Sequence, residues 1–142
     1  MKTLKKTLIA TLVMTLVIAA LTACSKDAAA FTKDASSKTN ITFNLKVTDP
    51  NGSSIIDAPI KVVGEDANLM EIMEWYLAEK KINFVQDNGM VTTISDLESD
   101  ASNGWLLYVN DAMSEVGAGD YIPAKGDKVE WKYVDYSKVF GS

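Results

Sequence analysis

The residue types that usually carry catalysis are scarce in this chain. All 14 basic residues are lysine, with no histidine and no arginine among its 142 residues. No Ser-His-Asp or Cys-His set can be assembled, no histidine can bind zinc, and no guanidinium can clamp a phosphate or carboxylate. Asp96, Glu98 and Asp100 have the alternate spacing of a calcium loop. Ala101 stands where such a loop needs glycine, however, and Leu107 stands where it needs a bidentate glutamate. Gly117-Ala118-Gly119 lacks the spacing of a phosphate-binding loop. The single cysteine, Cys24, excludes an internal disulfide. The expectation is therefore a protein without catalytic activity, resident metal or required cofactor.

Aromatic residues offer binding instead of catalysis. Gly104–Asn110 reads as a strand with Trp105, Leu107 and Val109 on one face and Leu106, Tyr108 and Asn110 on the other. Being apolar on both faces, it is expected near the middle of its sheet. Lys125-Gly126-Asp127 is a turn, and Val129, Trp131 and Tyr133 alternate with Lys128, Glu130 and Lys132 in the strand after it. This aromatic ribbon, Tyr108 included, is the expected neighbourhood of a ligand. A small domain with one helix has difficulty covering both faces of such a sheet, which would leave an apolar patch for a flat partner.

The remaining elements position that ribbon. Lys2, Lys5 and Lys6 precede an uncharged apolar run, Leu8 to Leu21, which is shorter than a membrane span and ends in small residues. Residues 1–23 are thus expected to be a signal peptide. Leu21-Thr22-Ala23-Cys24 resembles the lipobox of bacterial lipoproteins, which implies cleavage before Cys24 and a diacylglycerol on its sulfur. That places the protein on the extracytoplasmic face of the cell membrane, held by acyl chains. The processed chain has 11 lysines against 19 acids, a net charge of −8, which disfavours nucleic acid as a partner. Residues 24–39 carry no hydrophobic period and read as a flexible tether, with the folded domain occupying 40–142.

Within that domain Ile41, Phe43, Leu45 and Val47 alternate as a strand, Asp49-Pro50-Asn51-Gly52 turns, and a second strand contains Ile60, Val62 and Val63. Asp66 or Asn68 can cap a helix whose buried stripe is Leu69, Ile72, Met73, Tyr76 and Leu77, with the stem of Lys80 alongside. Trp75 lies off the stripe and is either packed under a neighbouring loop, the favoured reading, or an exposed contact residue. Strands at Ile82–Gln86 and Met90–Ile94 flank an Asp87-Asn88-Gly89 turn, and a polar loop runs from Ser95 to Asn103. The fold class is α+β.

Leu69–Asp135 resembles the transcobalamin-like C-terminal domain family. The resemblance rests on Leu69-Met70-Glu71-Ile72-Met73, Gly89-Met90-Val91-Thr92-Thr93-Ile94, Trp105-Leu106-Leu107-Tyr108-Val109-Asn110, Gly117–Asp127, and Val129-Glu130-Trp131. Asp111 stands where the bacterial modules usually carry glycine. The resemblance implies a β-grasp-like fold, a mostly antiparallel sheet packed on one helix, that covers one face of a corrin ring. It implies contacts from Thr92, Thr93, Trp105, Met113 and Val116, and a cobalamin-like ligand. A large helical domain supplies the other half of the clamp in the carriers and has no counterpart in a chain of this length. The expected partner is therefore a small molecule, shared with a transporter or surface protein. The alternative is a surface protein-interaction or adhesion module with no small ligand.

Overall fold

The computed structural model describes residues 28–33, 40–64 and 67–141. The expected signal peptide, Cys24, residues 34–39 of the expected tether and Asp66 lie outside the described residues.

Eleven elements follow one another among the described residues: β1 (Ala29–Thr32), β2 (Asn40–Thr48), β3 (Ser54–Val63), α1 (Leu69–Glu79), β4 (Phe84–Asp87), β5 (Met90–Ile94), β6 (Leu97–Glu98), β7 (Asn103–Val109), β8 (Ala112–Met113), β9 (Lys128–Asp135) and α2 (Tyr136–Phe140). They build an α+β architecture dominated by strands. Six strands form one sheet in the order β1-β3-β2-β9-β7-β8, and β4-β5-β6 form a second. In the larger sheet the β1/β3 and β2/β9 pairs are parallel and the rest antiparallel.

The period-two pattern of β2 sends Phe43, Leu45 and Val47 into the core, where each is at most 1% exposed. Opposite them Ile56, Ile60 and Val62 of β3 are buried, as are Val129 and Trp131 of β9. Leu69, Ile72, Met73, Tyr76 and Leu77 of α1 join the same cluster, as their spacing requires. The helix begins with a capping box: Glu71 N–H donates to Asn68 Oδ1 at 2.9 Å, and Asn68 N–H donates to Glu71 Oε2 at 3.1 Å. Lys80 is the C-cap and is exposed, so its stem does not extend the buried stripe.

The structure corrects two expectations of placement. Residues 29–32, assigned to the tether, form an edge strand that pairs Phe31 with Val62. Ala-Ala-Phe-Thr shows no local period; the strand exists because β3 offers a free edge and α1 offers Trp75. The Phe31 and Trp75 rings meet edge-on at 5.5 Å, and Lys33 bridges to Glu71 at 2.8 Å. Trp75 is thus covered by the segment read as linker. Second, β7 is not central: β9 flanks one side and only the two-residue β8 the other. Its second face is partly covered by polar neighbours rather than by another layer. Lys132 Nζ sits 4.5 Å from the centroid of the Tyr108 ring.

Candidate ligand-binding cleft

An open cleft of about 310 Å³ lies between the start of β5, the core face of β7 and the loop after β8. Gly89, Met90 and Val91 form one wall, and Met113 to Ala118 form the other. Trp105, Leu107 and Trp131 also line it; they are 6%, 6% and 5% exposed and make its floor. The exposed apolar surface belongs to the lips: Met90 at 67%, Val116 at 46% and Met113 at 40%. The tryptophan rings are enclosed, contrary to the uncovered aromatic ribbon expected from the sequence. What stays open is aliphatic and thioether surface above them.

Each wall is fixed by local chemistry. Asn88 and Gly89 take φ of 49° and 81°, the left-handed pair of a tight hairpin turn, and Gly89 N–H donates to Gln86 Oε1 at 3.0 Å. Asn110 and Asp111 repeat that conformation at 50° and 68°; aspartate adopts it more readily than most residues, so glycine is not required. Beyond β8, Ser114 N–H donates to Leu107 O at 2.8 Å, and Ser114 Oγ donates to Val116 O at 2.8 Å.

The loop then docks on α1. Leu69 N–H donates to Tyr121 O at 2.8 Å and Met70 N–H to Ala118 O at 3.0 Å. Those amides belong to the first turn, which has no intrahelical acceptors for them. Ala118 is buried at 1% exposure.

A polar clasp holds the far end of the same loop. Asp127 Oδ2 accepts from Tyr121 Oη and from Ala124 N–H (2.8 Å), and its Oδ1 accepts from Asn110 Nδ2 at 3.0 Å. Asn110 Oδ1 in turn accepts from Lys128 N–H at 3.0 Å. Burial pushes the Asp127 carboxyl up, but the bonds from Tyr121, Asn110 and Ala124 outweigh it and hold the group below the usual carboxylate range. Burial, then the Asp127 hydrogen bond and charge, pushes the Tyr121 phenol up. The clasp links the β7–β8 turn, the 121–127 segment and the start of β9.

Of the residues named from sequence, the structure brings Trp105, Met113 and Val116 together in the cleft. It does not bring Thr92, Thr93 or Tyr108 there. Thr92 Oγ1 donates to Val85 O at 3.2 Å across the hairpin, and Thr93 is 9% exposed opposite Glu98. Tyr108 is on the other face of β7, because alternate residues of a strand point apart. Met90, Val91, Leu107 and Trp131 are among the cleft residues not named from sequence as contacts. The Asn88-Gly89 turn was the signal for Met90, since it fixes where the second hairpin strand begins. Glu115 is the one ionisable side chain in the lining. The Trp105 indole N–H donates to Leu97 O at 3.0 Å, whereas that of Trp131 is buried with no acceptor among the described residues.

The chain is thus an α+β domain with an apolar cleft of preformed walls. Residues 66–135 match a family model described as a domain of unknown function, DUF4430. Haptocorrin in complex with Cbi is similar over 69% of this chain and 26% of its own, with 17% identity and a TM-score of 0.59. A Ruminococcus gnavus protein described as a candidate metal-binding protein is similar over 67% of this chain and 97% of its own, with 13% identity and a TM-score of 0.50. No curated protein matches. The fold is transcobalamin-like, and this chain spans about a quarter of the length of haptocorrin.

Proposed function

We propose that this protein is a lipoprotein, anchored through Cys24 on the extracytoplasmic face of the cell membrane, whose domain binds a cobalamin-like molecule without catalysis. The observation that carries the binding is the cleft: an aromatic floor, soft apolar lips and a single ionisable residue. Such a lining favours a flat, largely uncharged ligand over a phosphate or a polyanion. At about 310 Å³ it can take one face or edge of a corrin and cannot enclose it. That supports a half-clamp completed by a transporter or another surface protein.

The arrangement, a sheet with helix α1 against its core face, is what a β-grasp-like module would use to present such a cleft. Among the described residues no three carboxylate or thiol groups converge to hold a metal ion. Asp100 instead spends its Oδ1 on Ser102 N–H and Asn103 N–H, both at 2.7 Å.

Titrating the protein with cyanocobalamin tests the proposal. Quenching of tryptophan emission and a raised melting temperature are expected, and Val116→Asp should weaken binding by at least about tenfold by burying a charge against the ligand. No change at millimolar ligand would favour the surface protein-interaction module. For the anchor, Cys24→Ala should abolish incorporation of labelled fatty acid; incorporation that persists contradicts it.

A further inference from the structure

Four of the six methionines lie in the folded domain, and they divide sharply by environment. Met70 and Met73, at 7% and 0% exposure, are packed in the core by α1. Met90 and Met113, at 67% and 40%, are the exposed ones among the described residues, and both line the same cleft from opposite walls. A thioether is the most readily oxidised group in such a lining. Transfer of one oxygen from a peroxide to sulfur gives a sulfoxide and leaves water or an alcohol, turning a flexible apolar side chain into a polar one. Among the described residues, the two exposed methionines are therefore the two that form the lips.

We propose that Met90 and Met113 are a peroxide-sensitive modification site whose oxidation closes the cleft to apolar ligands. The inference rests on the cleft being the ligand site and adds its regulation. A sulfoxide at either lip must be desolvated when an apolar surface docks, and no lysine or arginine among the lining residues offers it a charged partner. Above the floor, a polar lip also draws water toward Trp105 and Trp131. Hydrophobic replacement by leucine keeps the apolar lips and removes the reactive sulfur.

The test treats the full chain with dilute hydrogen peroxide, maps oxidation by peptide mass spectrometry, and measures cyanocobalamin affinity and tryptophan emission in a Trp75→Phe background. Met90 and Met113 should gain oxygen well before Met70 and Met73, with affinity falling at least about tenfold. Met90→Leu/Met113→Leu, compared with itself before and after treatment, should show no change of its own affinity with peroxide. Oxidation of all four methionines at one rate, or unchanged affinity with both lip sulfurs oxidised, overturns the inference. If the untreated protein does not bind cyanocobalamin, the proposed ligand fails on its own. The inference is then judged by emission: a red shift on lip oxidation, absent in the leucine variant, supports it, and an unmoved spectrum overturns it.

Discussion

Removing the Asp127 carboxylate tests whether the clasp holds the cleft loop in place. Asp127→Ala deletes the acceptor for Tyr121 Oη, Asn110 Nδ2 and Ala124 N–H. Each bond has a charged acceptor but is partly solvated, so about 1 kcal/mol each is appropriate, or roughly 3 kcal/mol together. In a domain of this size that corresponds to a fall in Tm of roughly 10–20 °C. The pH dependence sharpens the test. Asp127 has a folded-state pKa below its ordinary value. Its contribution is therefore complete above the unfolded value of about 3.9 and is lost as pH falls through the folded value. The gap between wild type and Asp127→Ala should be constant from pH 7 to about pH 5 and shrink below about pH 4. Urea unfolding followed by tryptophan emission at several pH values measures it, and Tyr121→Phe completes a double-mutant cycle with coupling of about 1 kcal/mol. A gap under about 0.5 kcal/mol at pH 7, or one that does not narrow with acid, refutes the reasoning.

Three further substitutions probe the supports. A Cβ on Gly104 would collide with Tyr136 Oη and lie 2.8 Å from its Cζ. Gly104→Ala should therefore lose about 1–3 kcal/mol in denaturant titration, and adding Tyr136→Phe, which removes that oxygen, should recover part of it. Asn68→Ala breaks the capping box and should cost about 1 kcal/mol by the same titration. Phe31→Ala strips the edge-on ring from Trp75 and should shift tryptophan emission to the red, with a loss of about 2 kcal/mol. An unchanged spectrum would mean that β1 is not seated on α1.

Much of the fold was legible because burial follows period. The alternation of β2, the stripe of α1 and the positive-φ turn at Asn88-Gly89 each stand where the sequence implies. β1 was illegible, since four residues of Ala-Ala-Phe-Thr become a strand only through long-range pairing with β3 and the Trp75 ring. The position of β7 within its sheet was illegible for a related reason: apolar residues on two faces imply cover, and here Lys132 over Tyr108 supplies part of it. At the site, alternation already separated Tyr108 from Trp105. The threonines of β5 belonged to the resemblance, whereas the cleft takes that strand two residues earlier, at Met90 and Val91. Nothing local to the 113–121 loop announces that its carbonyls will cap α1.

The central claim is that a flat ligand docks between the 89–91 and 113–118 walls. Carbon-13 labelled methionine methyls read it directly, because Met90 and Met113 line that cleft while Met70 and Met73 are buried by α1. On titration with cyanocobalamin the Met90 and Met113 methyl resonances should move together and saturably, with those of Met70 and Met73 nearly still. Saturable binding that leaves both lip methyls unmoved would place the ligand elsewhere and contradict the account.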